Sequence, residues 1–191
     1  MTNKLTALIT LAASSLYAGG FYLQPEAGAI FNSQASCLYP TKYGMMPATL
    51  KTQTGYYVGA EGGYSLSRRW SIDEDVEYDS EQVKSLVING VGDKTPKNRD
   101  ASGWAEFTSV IYHLPAYGKL QPYVGVGRGY QAMDSATMRY QGKLGLQYNF
   151  TKDCALSLDY KTRWGGNFES DGLQIKAPSS KLIGVSFRYR F

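Results

Sequence analysis

Every second residue of the chain's most regular stretch is apolar. In residues 138–150, Met138, Tyr140, Leu144, Leu146, Tyr148 and Phe150 alternate with Arg139, Gln141, Lys143, Gln147 and Asn149. A period of two puts one apolar and one polar face on an extended strand. The pattern returns at 154–164, where Cys154, Leu156, Leu158, Tyr160, Thr162 and Trp164 alternate with Ala155, Ser157, Asp159, Lys161 and Arg163. It returns again at the C-terminus, with Ile183, Val185, Phe187, Tyr189 and Phe191 against Gly184, Ser186, Arg188 and Arg190. Weaker versions occupy 21–31, 56–66, 70–79, 104–114 and 120–131, which makes eight strands. In 21–31, Pro25 sits on the apolar face and marks a bend or bulge, with Gln24 and Glu26 opposite. In 56–66, Tyr56, Val58, Ala60, Gly62 and Tyr64 point outward and Glu61 inward. In 104–114, Glu106 argues that the even positions point inward.

Half-buried strands of a soluble sandwich also alternate, so length must decide. The clearest runs have about 10–13 residues, against about 5–6 for soluble strands and about 9–11 for a tilted membrane-spanning strand. Aromatic residues gather towards the ends of the apolar faces, as interfacial girdles do, and the opposite faces carry full charges that suit a polar lumen. Short connections near Arg68, Tyr117 and Lys152 alternate with long ones at 32–55, 80–103 and 165–180; the connection at 133–137 is short on the long side. The fold expected is all-β: an eight-stranded antiparallel up-and-down transmembrane β-barrel.

The first residues follow another rule. Lys4, an apolar run over 5–13 and a small-residue exit over 14–20 form the positive, apolar, small order of a secretory signal peptide. Cleavage is expected after Ala18 or Gly20, so residues 1–20 read as the signal and 21–191 as a single barrel domain.

Composition narrows the function more than the fold. A mean hydropathy of −0.33 over 191 residues excludes a bundle of membrane helices. Two Cys exclude a disulfide scaffold or a Cys-rich zinc module, and one His leaves little for His-based metal or triad chemistry. The net charge of +4 is too small and too scattered for nucleic acid. Tyr is abundant, at 16 residues, and is expected at the two water interfaces.

Two segments carry a resemblance. Val185-Ser186-Phe187-Arg188-Tyr189-Arg190-Phe191, ending on Phe, resembles the C-terminal signature of bacterial outer-membrane barrels. Leu120-Gln121-Pro122-Tyr123-Val124-Gly125-Val126-Gly127, after a short turn, resembles the small OmpA-like and opacity-type porin families. The resemblance spans essentially the whole mature chain and implies an eight-stranded Gram-negative outer-membrane barrel in contact with outer-membrane lipid and lipopolysaccharide. It also implies that Phe187, Tyr189 and Phe191 form the insertion signal read by the barrel-insertion machinery. Function is not implied, because such barrels serve as adhesins, anchors and enzymes.

The candidate chemistry begins at Asp73, Asp75, Glu77 and Asp79, which share one face of a strand. Clustered carboxylates suit a divalent cation. Charges inside a small barrel must be paired, however, and other strands supply Arg139, Lys143, Lys161, Arg163, Arg188 and Arg190. With Glu61 and Asp159 these residues predict a lumen charge network, with no catalytic, metal or cofactor site. Glu74 and Arg128 fall on the lipid face, so they either snorkel near an interface or follow a bulge that shifts the register. His113 reads as an interfacial residue beside a turn. Cys37, in the first long connection, reads as a free surface thiol; Cys154 reads as lipid-facing and too far away for a disulfide. In the second long connection, Leu86, Val87 and Ile88 precede an Asn-Gly turn and suggest a hairpin above the membrane. With Lys94, Lys97 and Arg99 they form a candidate interaction surface for a host or surface ligand.

The expected function is a non-enzymatic outer-membrane barrel with a structural and adhesin-like surface role. A narrow low-conductance porin is the alternative, and a lipid-modifying enzyme is a third reading that lacks a catalytic constellation.

Overall fold

The computed structural model describes residues 20–31, 34–41, 44–88, 92–94, 100–132, 136–166, 168–170, 173–176 and 179–191. Residues 1–19 of the proposed signal segment 1–20, and 133–135 of the connection at 133–137, lie outside the described residues.

Among the described residues there are thirteen strands and no helix: β1 (Phe21–Phe31), β2 (Gln34–Thr41), β3 (Gly44–Thr52), β4 (Gly55–Ser65), β5 (Trp70–Ile88), β6 (Gly92–Lys94), β7 (Asp100–His113), β8 (Leu120–Ala132), β9 (Ala136–Asn149), β10 (Cys154–Trp164), β11 (Phe168–Ser170), β12 (Leu173–Lys176) and β13 (Ser180–Arg190). Eight of them close a ring in the order β1, β4, β5, β7, β8, β9, β10, β13 and back to β1, every pair antiparallel. Closure through β1 and β13 removes both sheet edges, which a lipid environment requires because acyl chains satisfy no backbone group. The last backbone amide, of Phe191, donates to the Phe21 carbonyl at 3.1 Å and seals the seam.

The alternation predicted for β9, β10 and β13 is the alternation observed, with the charged positions buried inside and the aliphatic ones exposed outside. In β7 the parity is the reverse of the one Glu106 suggested. Ala105, Phe107, Ser109, Ile111 and His113 are buried, whereas Trp104, Glu106 and Val110 are exposed. Residues opposite one another in an antiparallel ladder share a face. Glu106 stands opposite Val76 of β5 and Tyr130 of β8, both outward, so the ladder carries Glu106 outward with them.

Aromatic pairs mark two belts. Trp70 with Tyr112, Tyr148 with Phe150 and Tyr189 with Phe191 lie at one end; Tyr78 with Trp104 and Tyr140 with Trp164 lie at the other. Along β5 the belts are Trp70 and Tyr78, roughly 20 Å apart in height for a strand rising about 3.3 Å per residue at a tilt of about 40°.

The long connections are more ordered than the sequence suggested. The first contributes the β2–β3 hairpin, the second extends β5 and adds β6, and the third supplies β11 and β12. Together they make a second sheet in the order β11, β12, β2, β3, β5, with β6 on β5. The hairpin expected beyond Ile88 is present as β5 against β6, while its turn residues 89–91 lie outside the described residues. The buried parity of β5 changes between Glu81 and Leu86, next to a register shift at Lys51/Thr52 of β3. A one-residue slip exchanges the two faces of a strand.

That exchange corrects the predicted interaction surface. Leu86 and Ile88 are buried against Cys37 and Ala48, with Tyr39 and Met46 packed alongside. They hold the external sheet together and are not available to a partner. Val87 is half-buried, the side chain of Lys94 is not described, and Lys97 and Arg99 lie outside the described residues. Cys37 is likewise buried, not a surface thiol, and no disulfide joins it to Cys154. A membrane-impermeant maleimide is expected to label Cys37 roughly tenfold more slowly in the folded barrel than after denaturation. Equal rates would put the thiol at the surface.

Candidate functional site

The lumen collects the charged residues of all but two of the eight barrel strands. Lys161 of β10 is its centre: Nζ lies 2.6 Å from Glu26 Oε1, 2.6 Å from Glu77 Oε1 and 3.8 Å from Asp75 Oδ2. Lys143 of β9 pairs with Glu61 of β4 and reaches Asp75 at 3.6 Å. Arg163 pairs with Glu77 and, at 2.7 Å, with Asp79. Arg188 lies 3.7 Å from Glu61 and stacks its guanidinium 4.0 Å over the Tyr22 ring. Arg163 sits similarly 4.7 Å from the Phe107 ring centre.

Each ion sits where it does because a period-two strand offers one inward position in every two. The inward positions of β5 are Ser71, Asp73, Asp75, Glu77, Asp79 and Glu81, all buried. The cations on β9, β10 and β13 come from the far side of the ring, so opposite charges meet across the lumen. Neutral amides fill the gaps: Gln141 donates to Asp75 at 2.9 Å, and Gln131 donates to Asp79 at 2.8 Å. Gln24 donates to Ser186 at 2.8 Å and accepts from Arg188 at 2.8 Å.

Hydroxyl and amide groups hold several of the predicted network residues. Asp73 is hydrogen-bonded by the Tyr22 hydroxyl, and Asp159 by Tyr123 and, at 2.8 Å, by Ser186. Arg139 is buried and donates to Gln131. Arg190 lies at the strand end and is only half-buried. Of the predicted insertion residues, Phe187 and Tyr189 face outward and Phe191 stacks on Phe21, with ring centres 5.7 Å apart.

Sequence reasoning missed Glu26 as a member of the network, although Gln24 and Glu26 alternate with apolar neighbours. It also sent the tyrosines to the interfaces, whereas Tyr22, Tyr57 and Tyr123 are buried in the lumen. Each stands in register with a glycine of the adjacent strand: Tyr22 with Gly63, Tyr57 with Gly28, and Tyr123 with Gly145. A Cβ on any of these glycines would overlap the facing ring. Large and small residues thus alternate around the ring, which is how a narrow barrel fills its interior.

Two chemical readings can be tested against this geometry. Carboxylate oxygens of Glu26, Asp75 and Glu77 come within 4.8 Å of one another, as a metal site would require. The Lys161 ammonium already stands among them, supplying the positive charge a cation would bring. His113, expected at the interface, instead points into the lumen, with Nε2 3.2 Å from Ser71 Oγ. A Ser–His pair suggests nucleophilic chemistry, which also needs a group orienting the imidazole and an accessible hydroxyl. Nδ1 of His113 has no hydrogen-bond partner among the described residues, Ser71 is fully buried, and Asp73 is engaged by Tyr22 on the other side of Ser71. The pair closes one end of the lumen without forming a triad.

The outer surface holds one anomaly. Glu74 and Arg128 are on the lipid side, and the β5–β7 and β7–β8 ladders run without a register shift, so no bulge explains them. Glu74 lies midway between the Trp70 and Tyr78 belts, and its carboxylate accepts a 2.7 Å hydrogen bond from Thr108. Arg128 stands in register between Thr108 and the belt residue Tyr140, so it lies towards that belt. An arginine there costs a barrel less than the figure of about 2–4 kcal/mol at the midplane.

A sequence model described as the outer membrane protein beta-barrel domain matches residues 5–191. The fold is similar to that of OprG from Pseudomonas aeruginosa, with a TM-score of 0.61 and 13% identity over 91% of this chain and 97% of that one. Neisserial surface protein A aligns at a TM-score of 0.56 with 17% identity, over 90% of this chain and 97% of that one. The outer membrane protein AlkL, solved in lipid bilayers, aligns at 0.57 with 14% identity, over 91% of this chain and 90% of that one. At these identities the likeness is one of fold. Among curated proteins, none has a sequence that matches the chain.

Proposed function

This chain belongs to the outer-membrane β-barrel family, and from that premise we propose that it is a non-conducting, non-enzymatic barrel that anchors an ordered external sheet at the cell surface. The observation that supports the reading is the packing of the lumen. A water-filled pore leaves the side chains lining it wet. Here the side chains of Glu26, Glu61, Asp75, Glu77, Lys143, Lys161 and Arg163 are within 1% of complete burial, so water does not reach the middle layer. Paired charges of both signs also leave no single-signed path for an ion.

The external sheet suits contact with other surfaces. Six strand segments from three connections give it a defined shape, and β11 leaves one ladder edge on which an extended partner segment would pair. Its ligand would be a surface or host molecule and not nucleic acid. Residues 1–20 act in this reading as a cleaved export signal, and Phe187, Tyr189 and Phe191 address the chain to the barrel-insertion machinery. Lipopolysaccharide and outer-membrane lipid surround the wall, and the finer kinship is with OmpA-like and opacity-type barrels.

Planar-bilayer recording tests the reading. Purified, heat-modifiable barrel is expected to give no steady ion-selective current. Reproducible unitary conductance would replace it with the narrow-porin alternative.

A further inference from the structure

The lipid-facing wall is not uniform. Between the aromatic belts, β9, β10 and β13 present Leu144, Leu146, Leu156, Leu158, Ile183 and Val185, the surface expected against acyl chains. The other side of the ring mixes aliphatic residues, among them Val58, Val76, Val110 and Val126, with small and polar ones. The outward positions of β1 and β4 at this depth include Pro25, Ala27, Ala60 and Gly62, and the next strands add Glu74, Glu106, Thr108 and Arg128. Small side chains permit close approach of another wall, and polar groups in hydrocarbon require partners. Thr108 and Glu106 both meet the Glu74 carboxyl group, but Arg128 remains exposed on a surface where lipid tails offer neither donors nor acceptors.

We propose that this half of the wall, where small and polar positions interrupt the aliphatic ones, is the contact through which two copies of the chain pair side by side in the membrane. The charges choose the occupant. The acids lie on β5 and β7 and the arginine on β8, with Thr108 in register between Glu74 and Arg128. A two-fold axis along the membrane normal, passing beside β7, exchanges the left and right sides of the patch. Each copy's Arg128 then faces the acidic side of the other, so the patch is complementary to itself. That is the requirement of an isologous interface. The register also places Thr108 nearest the axis. The inference depends on the barrel lying in a membrane and is independent of whether its lumen conducts.

The test is a disulfide trap in native outer membranes. In a chain carrying Cys37→Ser and Cys154→Ser, a cysteine is placed at the axis by Thr108→Cys or on the aliphatic wall by Leu158→Cys. Bridging requires Cα atoms within about 7 Å. Oxidation is expected to convert the Thr108→Cys chain to a covalent dimer of twice the monomer mass and to leave the Leu158→Cys chain monomeric. Adding Arg128→Glu should cut the dimer roughly tenfold through like-charge repulsion. Adding Glu74→Arg and Glu106→Arg to that variant should restore it. Arg128→Gln serves where Arg128→Glu fails to give heat-modifiable barrel. The proposal falls if Thr108→Cys yields no more dimer than Leu158→Cys, or if the yield ignores Arg128. A Thr108→Cys adduct at the mass of a different protein would equally overturn the assignment of a second copy.

Discussion

Lys161→Met is expected to destabilise the barrel by about 3–5 kcal/mol, the range found when one partner of a buried ion pair is removed. The Lys161 ammonium is the only cation within ion-pair distance of Glu26 among the described residues, and it also lies 2.6 Å from Glu77 and 3.8 Å from Asp75. Glu77 would keep Arg163, and Asp75 would keep Lys143 at 3.6 Å. Glu26 would keep no cation within ion-pair distance, and a fully buried carboxylate without one is costly. Methionine fills much of the lysine volume, so the loss reports charge more than cavity. Adding Glu26→Gln should recover a large share, because the orphaned charge then disappears together with its partner. The measurement is the urea midpoint of the vesicle-reconstituted barrel, followed by heat-modifiable gel migration. Midpoints that coincide for wild type and Lys161→Met would show that the network contributes nothing to stability.

The second large effect is steric. Gly28→Val is expected to yield almost no folded barrel. A Cβ at Gly28 would meet the Ile183 carbonyl oxygen and the Gly184 Cα of β13 as well as the Tyr57 ring. Backbone cannot be displaced there without opening the seam at which β1 closes on β13. Overpacking a core with mobile neighbours costs about 1–3 kcal/mol, and a backbone obstacle places this substitution beyond that range. Gly62→Val is the matched control. It also lies in a barrel strand, but its Cβ would point to the outer wall and meet only the Phe21 ring at 4.0 Å. Its folded yield should match wild type. Equal yields for the two valine variants would refute the account of Tyr57 and its facing glycines.

Much of this barrel is readable from its residues. Lipid outside and paired charges inside make opposite demands on neighbouring positions, so the faces of β9, β10 and β13 separate cleanly in the sequence. The acidic run of β5 and the cations of β9, β10 and β13 could be recognised as complementary for the same reason. Where a strand carries one exceptional residue the signal inverts. Glu106 is a charge on the lipid side, and trusting it turned β7 inside out. Its true face follows from Val76 and Tyr130, which flank it in the ladders.

Other features are invisible to periodicity altogether. Tyr22 and Gly63 are distant in sequence, as are Tyr123 and Gly145, yet each pair is directly opposed. Nothing in a local window states that one ring fills the space above one glycine. The external sheet is a stronger case, since Gln174 and Ile175 of β12 pair with Leu38 and Cys37 of β2 across most of the chain. Read as loops, these segments offered Leu86 and Ile88 to a partner; paired as strands, they bury both residues.

The sequence by itself determined that there are eight long two-faced strands, one face for lipid and one for paired charge, because period-two alternation is a local property of each strand. Only the tertiary structure decided which Lys meets which Glu, which Tyr fills which glycine, and which half of the wall carries polar groups. Those facts are set by the hydrogen-bond register between strands. A ladder joins residues remote along the chain, and a slip of one residue would exchange every inward side chain for an outward one.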